Sequence, residues 1–194
     1  LAGTEGLRTI GIAPRTDLVV DKVSADSAAA QAGLRPGDRI IAVDGNDHRL
    51  GISQKLGADV TLNYKNCDVI AEVMRITGGR GADSAIEALG TQATFESALR
   101  SIKPGGTVSS LGVYSGDLTI PLSAFAAGLG DHRINTALCP GGKERMRRLM
   151  NVLASNRLDL GLMVTHQFKL DDIVDAYDLF AHQRDRVLKV AITP

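Results

Sequence analysis

The stretch GDRIIAVDGNDHRL (37–50) decides how this chain is to be read. An apolar run of Ile40, Ile41, Ala42 and Val43 ends in Asp44 and Gly45, which is a strand closed by a turn pair. Joined to the residues before it, as AGLRPGDRIIAVDGN, the strand reads as the middle of a small β-rich module. Joined to the residues after it, as IIAVDGNDHRLGISQKLGAD, it reads as a strand that hands over to a helix capped by Asn46 or Asp47.

Working outward toward the C-terminus, strands and helices alternate, the pattern of a parallel sheet with crossover helices. HRLGISQKLG (48–57) places Leu50, Ile52 and Leu56 roughly on one helical face before Gly57 ends it. VTLNY (60–64) predicts a strand and CDVIAEVMRITG (67–78) an amphipathic helix. ADSAIEAL (82–89) predicts a buried strand, TQATFESALRSI (91–102) a helix and GTVSSLGV (106–113) a further strand. DLTIPL (117–122) and RINTAL (133–138) predict two more. A helix over 142–156, the segment VTHQF, a helix over 170–183 and a closing strand RVLKVAIT complete the chain.

Toward the N-terminus, RTIGIAP (8–14) and DLVVDKV (17–23) read as strands, separated from the 37–50 stretch by SADSAAAQAGL with Gly33 as a helix stop. The composition break lies between Gly33 and Gly51. No internal repeat or low-complexity linker interrupts the chain.

The bulk composition narrows the function classes. The 194 residues are 44% hydrophobic and 23% charged with 21 glycines, the make-up of a globular α/β protein. Twenty-two Lys+Arg balance 22 Asp+Glu, leaving no electrostatic footprint for nucleic acid or an anionic membrane. No apolar run reaches the ~18 residues of a membrane span. Cys67 and Cys139 are far apart and lack a CxxC partner, so free thiols in a reducing, cytoplasmic setting are expected. No basic segment followed by an apolar stretch marks a leader, and a start at Leu1 rather than Met points to a fragment. His48, His132, His166 and His182 show no zinc-like spacing with the cysteines, so no metal site and no catalytic residue is assigned.

From about Asp38 to Pro194 the chain resembles the C-terminal half of the zinc-dependent medium-chain alcohol dehydrogenases. The resemblance rests on the order and spacing of IIAVD, RLGISQKLGADVTLNYKN, VMRITGGRGADSAIEALG, SALRSIKPGGTVSSLGVYSG, ALCPGGKERMRRLM, VTHQFKLDDIVDAYDLF and VLKVAI. It implies a Rossmann-like, doubly wound, mostly parallel sheet with the cofactor across the carboxyl ends of its strands. Asp44 then falls where an acid accepts hydrogen bonds from the adenosine ribose, and its charge favours NAD over NADP. Asn46 and Arg49 would line the adenosine edge. Ala88, Leu89 and Gly90 would form an apolar wall, Leu111, Gly112 and Val113 would hold the nicotinamide amide, and Leu138 would flank it. Lys189 matches a basic residue near the cofactor phosphates. Taken singly, Asp44-Gly45 is an ordinary turn, Arg49 a solvated helix charge and the leucines core residues. Only a common position at the strand ends makes them a site.

Two parts of the family pattern are missing. The zinc ligands of relatives lie upstream of anything matched, and the turn 24–33 carries Ser24, Asp26 and Ser27 where the family places GxGxxG. Weak or lost NAD binding and no catalysis by this chain alone are the expectations.

Residues 8–46 resemble the first half of a PDZ domain of bacterial membrane-embedded zinc proteases, through V-x-x-D-S-A-A-x-x-A-G-L-x-x-G-D-R-I-x-x-V-D-G. The resemblance implies peptide binding by strand addition, with Thr9, Ile10, Gly11 and Ile12 cradling a terminal carboxylate. The expected layout is a half-PDZ-like segment over 1–45, an incomplete dinucleotide-binding domain over 38–140 and C-terminal helices and strand over 141–194. The β-rich segment either replaces the first strand–helix unit of the sheet or stays detached. The expected function is that of an NAD-binding portion of an alcohol dehydrogenase. The alternatives are a PDZ-type peptide module and a recombined chimera without evolved function. A homodimer through the strands at 117–122 and 133–138 completes the expectations.

Overall fold

The structure, a computed structural model, describes residues 37–136, 141–155, 160–182 and 186–194. The PDZ-like segment up to residue 36 lies outside the described residues, including LVVDKV and the 24–33 turn.

Strand β1 (Ile41–Asp44) pairs in parallel with β2 (Val60–Asn63), and helix α1 (Asp47–Lys55) crosses between them. The cap is Asn46, whose side chain accepts from the backbone N–H of His48 (2.9 Å) and Arg49 (3.2 Å). Helix α2 (Val69–Ile76) starts on the Asp68 carboxylate, which accepts from Ala71 N–H at 3.1 Å. A second sheet orders β3 (Ala82–Glu87), β4 (Ile102–Ser110) and β5 (Arg133–Thr136), all parallel, with α3 (Gln92–Ser101) crossing from β3 to β4. A Thr91–Thr94 capping box starts α3. After α4 (Lys143–Ala154), a third parallel pair joins β6 (Val164–Lys169) to β7 (Lys189–Thr193), with α5 (Ile173–Ala181) between them.

Two clusters of side chains hold the first two sheets. On one, Phe95 and Leu99 of α3 bury against Ala85, Ile102 and Val108, with Ala124 alongside and Tyr114 and Ile134 at the margin. On the other, Val73 of α2 meets Ile41, Leu62 and Ala82, so the helix spans from β1 and β2 to the start of β3. The opposite face of β1 is buried as well: Ile40 and Ala42 pack on Ala58. Burial on both faces is what parallel α/β sheets require. Among the described residues the parallel strands order as β2-β1 and as β3-β4-β5. The strand expected between β1 and β3, 17–23, is outside the described residues.

One expected strand does not form. DLTIPL (117–122) joins no sheet among the described residues, and its last residue is already in a turn. The reason lies in Gln92. Its side-chain amide donates to the Thr119 carbonyl (2.7 Å) and accepts from the Thr119 N–H (2.9 Å), taking the place of a neighbouring strand. Pro121, which has no N–H to give, then turns the chain, with Ala124 and Phe125 N–H bonding back to its carbonyl. The dimer contact expected through 117–122 therefore lacks its strand. RINTAL does form one, over Arg133–Thr136, at the outer edge of its sheet. The helix expected over 170–183 splits into a single 3₁₀ turn (Leu170–Asp172) and α5.

Helices α4 and α5 leave Met146, Leu149, Met150, Val174, Tyr177 and Phe180 exposed. Among the described residues, no helix is long and apolar enough to cross a membrane.

Candidate functional site

Paired parallel strands point the same way, so β3 and β4 deliver their last residues to one end of their sheet, and β1, parallel to β2, does the same in its own. Asp44 closes β1. Its Oδ1 accepts from Asn46 N–H at 2.8 Å, and Oδ2 lies 3.9 Å from Arg49 Nη1. The Asx-type bond fixes the carboxylate at the mouth of the turn, while both charged groups stay part-exposed and free to meet a ligand. Between strand and helix, Gly45 is buried because the Tyr64 ring covers it; a Cβ there would fall inside that ring. The aromatic face of Tyr64, largely exposed, therefore stands beside Asp44.

The ends of β3 and β4 make the second wall. Ala88, Leu89 and Gly90 follow β3, and Leu111, Gly112 and Val113 follow β4. Leu89 is 68% exposed and Val113 76%, with Leu111 exposed too. Large apolar side chains held in solvent at the carboxyl ends of a parallel sheet form a floor for a flat, partly apolar ligand. The two loops touch through glycines. A Cβ on Gly112 would collide with the N and Cα of Gly90, and a Cβ on Gly90 with the backbone of Val113. Gly90 also has φ of +89°, which L side chains rarely adopt.

Beneath the loops sits a group that sequence reasoning missed. Glu87, 3% exposed, is the last residue of β3. Its Oε1 accepts from Leu89 N–H (2.8 Å) and Gly90 N–H (2.8 Å) and lies 2.8 Å from Thr94 Oγ1. Its Oε2 accepts from the Tyr114 hydroxyl at 2.6 Å. Ser110 Oγ lies 2.8 Å from that hydroxyl and donates to Oε2 at 3.4 Å. The Glu87 carbonyl meanwhile accepts from Leu111 N–H at 2.7 Å. One residue thus ties both loops to one point. The signal in the sequence was a carboxylate two residues after Ala85, hence on the same face of the expected buried strand ADSAIEAL, where only a dense set of donors makes burial tolerable.

Burial pushes the Glu87 pKa up, but hydrogen bonds from Tyr114, Gly90, Leu89 and Thr94 outweigh it and leave the carboxyl below its ordinary value of 4.5. Burial and the Glu87 charge raise the Tyr114 hydroxyl, so it stays a donor. A depressed folded pKa contributes stability that is complete above the unfolded value and drains as pH falls through the folded one. The wild-type melting temperature is therefore expected to fall more steeply than that of Glu87→Gln as the solution goes from about pH 6 to about pH 3. Parallel curves would contradict the assignment.

Other expected residues are placed differently. Lys189 opens β7, which pairs with β6; its carbonyl accepts from Thr165 Oγ1 at 3.2 Å. His166 Nδ1 lies 3.0 Å from Thr165 Oγ1, a local bond. Leu138, and the peptide-cradle residues Thr9, Ile10, Gly11 and Ile12, lie outside the described residues. Near the base of β3, Asp83 is bracketed by Arg80 (3.1 Å) and Lys103, an ion cluster remote from the strand ends.

Comparison with known proteins follows the same outline. A family model described as zinc-binding dehydrogenase matches residues 26–155. The chain is similar to an alcohol dehydrogenase of Cupriavidus necator, 74% identical over 167 residues that cover 86% of this chain and 46% of that protein. It is also similar to an NADP-dependent isopropanol dehydrogenase of Clostridium beijerinckii, 33% identical over 98% of this chain and 56% of that protein. Among solved structures, alcohol dehydrogenase TADH from Thermus sp. ATN1 superposes with a TM-score of 0.72 at 28% identity, over 82% of this chain and 45% of that one. The chain spans about half the length of these relatives. The family match begins at residue 26 and so runs through part of the stretch that resembles a PDZ domain.

Proposed function

The chain belongs to the zinc-binding dehydrogenase family, and from that premise we propose that it is the nicotinamide-dinucleotide-binding half of an alcohol dehydrogenase-type oxidoreductase, with NAD(H) preferred. What supports the reading is the family match together with the place of these residues in the strands: Asp44 closes β1, and the exposed Leu89, Leu111 and Val113 follow the paired parallel strands β3 and β4. The Asp44 carboxylate has lone pairs left for the ribose diol. The apolar side chains of Leu89, Leu111 and Val113 offer contact to the ring systems and exclude water from them. When bound, the cofactor accepts or delivers a hydride; this chain's described residues bind and orient it.

Zinc, which the family name implies, finds no fit among the described residues: no three His, Cys, Asp or Glu side chains converge there. No step is assigned to it. The edge of β5 is where a second copy would pair, with 117–122 clamped out of strand form by Gln92.

The choice between the two dinucleotides turns on Asp44 and Arg49. A carboxylate at this spot repels a 2′-phosphate, and it also holds Arg49 to itself, 3.9 Å away. In a fluorescence titration the wild-type chain is expected to bind NADH saturably, with NADPH weaker. Because Ser24, Asp26 and Ser27 stand where the family's GxGxxG would meet the pyrophosphate, the dissociation constant should lie in the high micromolar range, below about 1 mM. Asp44→Ser removes the ribose acceptor and releases Arg49. It should weaken NADH about 10- to 100-fold, as befits a lost hydrogen bond to a charged group, and bring NADPH to parity or better. No saturable NADH binding at millimolar cofactor overturns the function; unchanged discrimination in Asp44→Ser overturns the role of Asp44.

A further inference from the structure

Leu89 to Gly90 and Leu111 to Val113 come from different strands, yet their amides and the Tyr114 hydroxyl converge on one residue. Each oxygen of the Glu87 carboxylate serves a different loop. Oε1 holds the loop after β3, Oε2 holds the loop after β4 through Tyr114, and the Glu87 carbonyl holds Leu111. The carboxylate is rigid and planar, so the separation of its oxygens becomes the separation of the loops. The glycines allow that separation to be small: Gly90 and Gly112 touch backbone to backbone. A purely apolar contact would leave the loops free to slide, because dispersion has no preferred direction, whereas hydrogen bonds to a charged acceptor are short and directional.

We propose that Glu87 is a positioning residue for the cofactor: it sets the gap between the 88–90 and 111–113 loops and so the shape of the floor on which the dinucleotide lies. This rests on the cofactor reading above. Glu87 itself is buried beneath the loops and reaches the ligand only through them.

The geometry separates reach from charge. Glu87→Gln keeps the length: its Oε1 can accept from Leu89 and Gly90 while its amide donates to Tyr114, whose hydroxyl turns toward Ser110. Glu87→Asp keeps the charge but draws the carboxylate back by one methylene, too far to span both loops. A role in the gap makes aspartate the damaging variant and glutamine the mild one. A role in charge alone makes the reverse order. Tyr114→Phe, which deletes the Oε2 donor while leaving the fold's apolar contacts, is the companion variant.

Two readouts are taken on the full chain. Amide hydrogen exchange followed residue by residue is expected to show Leu89, Gly90 and Leu111 exchanging at least ~10-fold faster in Glu87→Asp and in Tyr114→Phe, with the β4 core amides unchanged. NADH titration is expected to show a loss of ~10-fold or more in Glu87→Asp and within ~3-fold of wild type in Glu87→Gln. A merely structural role would speed exchange throughout the sheet and spare affinity in whatever fraction stays folded. Should Glu87→Asp fail to fold, Tyr114→Phe carries both readouts. If wild type binds no NADH while the loop amides respond as stated, the cofactor reading fails and the hub stands. If loop amides keep wild-type protection, or if glutamine is as damaging as aspartate, the positioning role is overturned.

Discussion

Replacing Phe95 by alanine is expected to cost about 3–5 kcal/mol of unfolding free energy, the largest effect of any single truncation among the described residues. Phe95 is 1% exposed and sits at the centre of the cluster formed by Ala85, Leu99, Ile102 and Val108. Its ring meets Tyr114 edge to face, with centroids 6.2 Å apart at 82°. Truncation removes apolar burial, leaves a cavity that helix α3 and the sheet can only partly close, and takes away an aromatic pair worth about 1 kcal/mol beyond its area. Urea unfolding monitored by circular dichroism measures it; a loss under about 1 kcal/mol would mean that the helix does not anchor the sheet as described. The damage reaches the site too, because Tyr114 stands on Phe95 and hands its hydroxyl to Glu87. NADH binding in the surviving folded fraction should weaken even though Phe95 is nowhere near the loops' exposed surface.

The second large effect concerns Gly112. Its backbone needs no unusual torsion, so substitution is a question of space alone, and the space is filled by the N and Cα of Gly90 and by the Glu87 carboxylate. Backbone cannot swing aside as a flexible side chain would. In Gly112→Val the loops must separate by about 1 Å to restore van der Waals distance. Misplacement on that scale costs on the order of 10²-fold where geometry matters, and NADH affinity is expected to fall by at least that much. The apolar core is untouched, so the melting temperature should move little. Gly116→Ala, where an added Cβ meets nothing within 4 Å, is the matched control and should bind as wild type does. Equal affinity in Gly112→Val and wild type would place the cofactor elsewhere.

How far the sequence revealed this arrangement depended on whether an element's partners were local. Helices α1, α2 and α3 were legible because their apolar spacing is local, and the cap read for α1, Asn46, lies within three residues of the amides it receives. Strand β1 was legible from its apolar run and its Asp-Gly ending. DLTIPL has the alternation of a strand and failed as one because Gln92, 27 residues away, satisfies Thr119 from the end of a helix. Glu87 escaped notice for the same reason. Two of its donors are neighbours, but Tyr114 arrives from 27 residues downstream, and only the folded chain brings the set together. The exposure of Leu89, Leu111 and Val113 was not legible locally, since leucine and valine at strand ends look like core until the fold is seen; these residues and Lys189, which opens β7, were named through family resemblance.

The amide of Gln92 has a further consequence for the life of the chain outside its folded site. LTIPL is short, apolar and uncharged, and its leucines and isoleucine are partly in water. By holding both backbone groups of Thr119, Gln92 takes one residue of this segment out of strand pairing, and Pro121 has no N–H to offer. An amide at the start of a helix thereby reduces what an apolar ribbon can present to a second chain.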